Sequence, residues 1–210
     1  MDVENRDTEW SGDDWYGVEL DGVSYLGCRF DEVDLTEART RGAVFDDCTF
    51  SNCRFNVSEH VGTAFTRCTF RRTSFFGATL DSCKLSGSTF VECTLRPMTV
   101  AGGQWSYVLM RGADLSGLDL TGVRLHQAEL SEANLTGVVL RGCDLSRASL
   151  REATLREADL RGAGLDGADL GAARLRDTRL DLAGALIVAE AQGALVDLGD
   201  DSHDAGQSTR

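Results

Sequence analysis

Large apolar residues recur at every fifth position along most of this chain. From Leu115 to Leu180 the fifth position is leucine without exception. Two residues ahead of each stands a small one, as at Ala128, Ala133, Cys143, Ala148 and Ala153, relaxed at Leu118, Val123, Val138 and Thr178. Towards the N-terminus the same phase passes through Phe90, Leu80, Phe70, Phe55, Phe50, Phe45, Leu35, Phe30, Tyr25 and Leu20. Thr40, His60, Val100, Trp105 and Met110 change the residue type but not the spacing. A helix repeats every 3.6 residues and a strand every 2, so neither explains a strict five. The pattern predicts a backbone that turns a corner every five residues over at least residues 18–180.

A slower period sets the number of corners per turn. Gly22, Gly42, Gly62, Gly102, Gly122, Gly142 and Gly162 lie twenty apart, with Ser82 alone out of type. Twenty is four fives, so the fold expected is an all-β, four-sided coil of about eight turns, with glycine at one corner for its backbone angle or for close approach. The apolar fifth residue then points to the axis and stacks on its equivalent one coil away. Phe30, Phe50, Phe70 and Phe90 form one such core column, and the prism is solid.

The cysteines follow the same phase. Cys28, Cys48, Cys53, Cys68, Cys83, Cys93 and Cys143 all occupy the small inward position. A metal site or disulfide framework gives no reason for that, whereas free cysteine packs as a small hydrophobe. His60 also falls inward, with Thr40 one coil below and Leu80 one coil above, and is expected to be neutral and hydrogen-bonded to Thr40 or to backbone. Pro97, the only proline, sits among atypical residues (Met98, Val100, Gly103, Trp105) and predicts a bend or irregular coil, with the isomer of its peptide bond left open.

The chain divides into an acidic flexible N-terminus over 1–14, a repeat domain over 15–182, a capping segment over 183–198 and a disordered tail over 199–210. Trp10 and Trp15 are read as a lid on the first coil. Ala183 to Gln192 has helix-forming residues with Gly193 to end it, and 194–198 suits a short strand. Capping the last coil hides its strand edge.

The runs AVFDDCTFSNCRF, HVGTAFTRCTF, GSTFVECTLRPMTV and RGADLSGLDLTGVRL resemble the pentapeptide-repeat proteins, and within them the MfpA type of fluoroquinolone-resistance protein. That resemblance implies a right-handed quadrilateral β-helix and pairing of two subunits end to end through the C-terminal segment, with Leu186, Ile187 and Leu195 at the dimer interface. It also implies DNA mimicry: an acidic rod of duplex width occupying the DNA-binding saddle of DNA gyrase or topoisomerase IV. The acidic surface would be Asp159, Asp166, Asp169, Asp177 and Asp181, near the dimer junction. No loop interrupts the fives, so binding must use faces, ends or the C-terminal segment.

Charge tempers this. The net charge of -13 disfavours direct nucleic-acid binding and favours basic partners. Yet residues 1–38 carry net -10 and 181–210 net -5, while the shaft between them is nearly balanced. Duplex DNA is charged uniformly along its length. An interaction rod with an unrelated target is therefore the alternative reading. No phosphate loop, HExxH or GxSxG stands in the sequence, so neither an enzyme nor a cofactor is expected. An N-terminus that is acidic rather than basic and apolar, with no long apolar run, points to the cytoplasm and away from membranes.

Overall fold

The apolar fifth residues turn inward and the chain winds around them as a parallel β-solenoid. The structure is a computed structural model and describes residues 4–197. Strands are numbered in chain order. One face stacks β1 (Glu4–Arg6), β4 (Ser24–Leu26), β7 (Val44–Asp46) and β10 (Ala64–Thr66). A second stacks β2 (Glu9–Ser11), β5 (Arg29–Asp31), β8 (Thr49–Ser51), β11 (Thr69–Arg71) and β13 (Thr89–Val91). The third has β3 (Glu19–Asp21), β6 (Arg39–Arg41), β9 (Glu59–Val61), β12 (Thr79–Asp81) and β14 (Thr99–Ala101). The fourth face is a ladder of single bridges, Asp14 to Asp34 to Arg54 to Ser74 to Thr94.

Every pairing is offset by twenty residues, from Glu4 on Ser24 to Asp159 on Arg179. About five turns are sheet in the strict sense, and the later ones are joined by single bridges. The count of turns in the strict sense is thus below the expected eight or so, while the offset of twenty continues through the bridged coils. Strands fade where leucine over alanine replaces phenylalanine over cysteine. In that half the corners are closed by four-residue turns, as in Val123 N to Leu120 O at 3.0 Å.

The predicted aromatic column is present. Trp10, Phe30, Phe50, Phe70 and Phe90 stack in parallel with successive centroids 4.9, 4.6, 4.9 and 4.8 Å apart. Inward cysteines do more than fill space. Cys53 Sγ donates to Phe30 O at 3.3 Å and Cys143 Sγ to Leu120 O at 2.9 Å, each 23 residues back. Ser88 and Thr178 make the same contact at 2.7 Å. A small donor in this phase therefore satisfies a carbonyl lone pair that alanine leaves bare. Burial pushes the thiols of Cys53, Cys83 and Cys143 up to about 11.

At the glycine corner the backbone is left-handed, with φ of 63° at Gly22 and 58° at Gly62. A Cβ at either would meet nothing within 4 Å, so the requirement is the angle and not close approach. Ser82 adopts φ 53° in the same column.

Two expectations are corrected. Glu4–Arg6 and Glu9–Ser11 are rungs of the ladder, so the solenoid starts well before residue 15, because Trp10 stacks on Phe30 and supplies the inward residue. No strand forms over 194–197, and Leu198 with the tail over 199–210 lies outside the described residues. The helix α1 spans Leu182–Ala191, and its N-cap is Asp181, whose carboxylate accepts from Gly184 N. Ile187 and Val188 of α1 pack on the last coil.

The coil at Pro97 is irregular, and the Arg96–Pro97 bond is cis. Between residues 91–102 and 111–122 no backbone hydrogen bond is made, although the ladders resume at Gln104 on Arg124 and at Thr89 on Leu109. The solenoid is thus split along two adjacent faces and intact along the other two.

Candidate interaction surfaces

The recurring aspartate before each inward leucine has a local task. Its carboxylate accepts the backbone N–H two residues on, as in Asp34 to Thr36 (3.0 Å), Asp119 to Thr121 (2.9 Å) and Asp144 to Ser146 (3.0 Å). Such Asx turns stabilise the corner. They also hold the carboxyls ionised: the Arg54 guanidinium brings Asp34 down to about 2, and the Thr121 hydroxyl and N–H lower Asp119.

The five acids predicted as a surface are therefore unequal. Asp159 is only 7 % exposed and accepts from Arg141 Nε at 2.6 Å and from Arg161 Nε and Nη2 at 2.9 and 2.7 Å. It is a buried brace, which corrects its placement on the surface. Asp181 is taken up by Gly162 N and Gly184 N, whose N–H groups lower its pKa. Asp169 accepts from Gly171 N and pairs with Arg151 at 3.4 Å. Asp177 lies beside Arg176 at 3.5 Å, both exposed. The Asp166 carboxylate makes no hydrogen bond or ion pair among the described residues, although its backbone carbonyl accepts from Arg147 N at 2.9 Å. Asp159, Asp166 and Asp169 belong to three successive repeats, centred on Leu160, Leu165 and Leu170, and so fall on three different faces, and these acids ring the rod.

A denser acidic surface lies at the opposite end. The first rung carries Glu4, Glu9, Asp14 and Glu19, one acid on each of the four faces. Their spacing of five was legible in the sequence but went unused because residues 1–14 read as flexible. Trp10 and Trp15, with centroids 5.4 Å apart, close the core behind this ring.

At the C-terminal end Leu182 is 74 % exposed and Leu195 fully exposed, while Leu186 and Ile187 are half-buried. Ile187 faces the coil, so of the three residues expected at an interface, Leu195 is the one wholly available. Along one corner of the shaft, Tyr16, Val57 and Phe76 are exposed. Among the described residues no group of three or more His, Cys, Asp or Glu is placed to hold a metal ion, and no helix is long and apolar enough to cross a membrane.

The family model for pentapeptide repeats matches eight copies over residues 109–147 and 143–181. Residues 109–181 are pentapeptide repeats. Residues 19–95 match the model of the SV2A/B/C luminal domain, and residues 96–108, which include Pro97, fall in neither match. Among solved structures, a trypsin-treated form of QnrB1, a plasmid-mediated fluoroquinolone resistance protein, superposes with TM-score 0.72 at 20 % identity. That match covers 94 % of this chain and 99 % of that one. Full-length QnrB1 gives 0.56 at 20 % identity, over 91 % and 100 %. No curated protein sequence matches the chain.

Proposed function

We propose that this chain is a non-enzymatic rod that binds DNA gyrase, with topoisomerase IV as the second candidate, and so confers quinolone resistance or self-immunity. The observation that carries this reading is the superposition on a fluoroquinolone resistance protein over 94 % of the chain. A stack of rungs about 4.8 Å apart makes a shaft roughly 40 Å long. Its acidic ends suit the basic surface on which a topoisomerase holds DNA.

In this reading the contact acids are Asp166, Asp169 and Asp177 at one end and the ring of Glu4, Glu9, Asp14 and Glu19 at the other. Leu182, Leu186 and Leu195 pair two copies end to end, doubling the rod. The protein acts in the cytoplasm and does not itself bind nucleic acid.

A second reading, an interaction rod with an unrelated target, is favoured by the shaft, whose aspartates are spent on their own corners. One assay separates the two: supercoiling by purified gyrase, titrated with this protein, with and without a fluoroquinolone. Inhibition, or rescue from drug-induced cleavage, at micromolar protein supports gyrase binding. That effect should weaken in Asp166→Lys/Asp177→Lys or in Glu9→Lys/Glu19→Lys, whichever end makes the contact. No effect on either gyrase or topoisomerase IV leaves the unrelated target.

A further inference from the structure

The split coil leaves an interior strand with an open edge. β14 is the last member of its sheet: it pairs with β12 below, and nothing pairs with it above. One coil higher, Leu115 N, Leu120 N and Gly122 N donate to the next coil at 2.9, 2.8 and 2.9 Å. Their counterparts Leu95 N, Val100 N and Gly102 N have no backbone acceptor, and Met98 O and Cys93 O receive no donor from Asp119 N and Asp114 N. Main-chain groups left in this state are costly unless something meets them.

Side-chain volume explains the split. The small inward phase is filled by Met98 and Leu118 on successive rungs of one face, where alanine, cysteine, serine or threonine is usual. Two bulky residues there hold the rungs apart. On the neighbouring face a cleft of about 590 Å³ opens between Cys93, Thr94, Leu95, Arg96, Pro97 and Asp114. It is spanned by Arg96, whose Nη1 reaches Asp114 at 3.0 Å and also contacts Ser116. Val100 and Cys93, whose equivalents one coil below, Leu80 and Thr73, are buried, are only partly buried at the opening.

The edge also lacks protection. The open first rung of the solenoid is lined with Glu4, Arg6, Glu9, Glu19 and Asp21, charges of the kind that keep a free edge from pairing. β14 reads Thr-Val-Ala, neutral and strand-prone.

We propose that the open edge of β14 is a strand-addition site, which takes an extended segment of another protein as a guest rung between residues 98–102 and 118–122. Val100 N and Gly102 N donate to the guest and Met98 O accepts from it. Asp119 N donates from the opposite lip. The guest is neutral at its outward positions beside Thr99 and Ala101, and it turns one apolar residue inward over Val100. Recognition of this kind rests on the main chain, with side-chain pockets supplying selectivity.

The test uses the full chain and a synthetic ten-residue peptide copying residues 113–122 with threonine in place of Asp114 and Asp119, which makes its outward positions neutral and strand-prone. Amide hydrogen exchange is read residue by residue. In the free protein, Leu95, Val100 and Gly102 should exchange on the order of 100-fold faster than Leu115, Leu120 and Gly122. Saturating peptide should slow Val100 and Gly102 at least about tenfold. In Ala101→Lys, which sets a charge on the exposed edge, the peptide should lose this effect while the free protein keeps its pattern. Val100 and Gly102 already as protected as Leu120 and Gly122 would overturn the proposal. So would amides that stay fast under saturating peptide, or equal protection in Ala101→Lys.

Discussion

Thr40 gives its hydroxyl proton to Nδ1 of His60, 2.8 Å away and one coil above it. The direction follows from the neighbours. Ser58 Oγ donates to Phe55 O at 2.7 Å, so at 2.9 Å it accepts from His60 Nε2, and the ring is the neutral Nε2–H tautomer. Thr63 Oγ1 lies 2.6 Å from Thr40 Oγ1 and supplies its remaining bond. A second ring proton would find Thr40 offering a donor.

Burial accordingly lowers the His60 pKa to about 3. A histidine held neutral stabilises the fold above its unfolded value of about 6.5 and loses that contribution as pH falls. Between pH 6.5 and 3 the wild type should lose about 1.4 kcal/mol per pH unit from this residue. His60→Leu, less stable at pH 8, should show a flatter decline. Urea unfolding at pH 8, 6 and 5 measures it, and parallel slopes would exclude His60 as the source.

Asp159 and Asp166 predict opposite outcomes for one substitution. Asp159→Asn leaves Arg141 and Arg161 without their shared carboxylate and should cost about 1–2 kcal/mol, the outer arginines being solvated. Asp166→Asn should change stability by less than about 0.5 kcal/mol. Thermal melts distinguish them.

Ser82 and Gly103 bracket what the corners tolerate. Ser82 holds φ 53° in a column where glycine is the rule, so Ser82→Gly should be neutral or stabilise by up to about 1 kcal/mol. Gly103 has φ 125°, and a Cβ there would lie 2.6 Å from Cys83 O and 3.1 Å from Trp105 Nε1. Gly103→Ala should therefore destabilise by more than about 2 kcal/mol. Calorimetry of the two variants side by side gives the sign.

The two faces of the C-terminal segment separate capping from pairing. Ile187→Asp places a carboxylate against the last coil and should lower the melting temperature by several degrees. Leu195→Asp sits in solvent and should leave melting unchanged. If two copies pair through this end, Leu195→Asp alone should halve the mass seen by light scattering without unfolding the cap.

The solenoid, its four faces and its inward residues were legible because one physical rule, an inward and nearly always apolar residue every fifth position, repeats without slippage from Tyr25 to Leu180. His60 and Thr40 were readable as partners for the same reason, being twenty apart. Surface chemistry was not. Whether an aspartate is free depends on its phase, on the residue two further on and on the one a coil away: Asp159 precedes inward Leu160 and Asp166 follows inward Leu165, but the first shows itself a brace only once Arg141 and Arg161 are placed around it. The N-terminal ring was missed because high charge without leucine reads as a tail. Only Trp10, stacked on Phe30, makes it a rung. The split coil was visible in part, through Pro97 and Met98, but Leu118 acts with Met98 only once the two are seen on successive rungs.

The unvarying offset of twenty makes this molecule a ruler graduated in coils. Removing one graduation would shorten the rod by about 4.8 Å and leave each downstream residue on its own side. Removing five residues would instead turn all that follows through a quarter circle, carrying Asp166 to the corner now held by Arg161. Length and facing are thus separately adjustable in such a chain, one by whole coils and the other by single repeats, while the interior registers neither change.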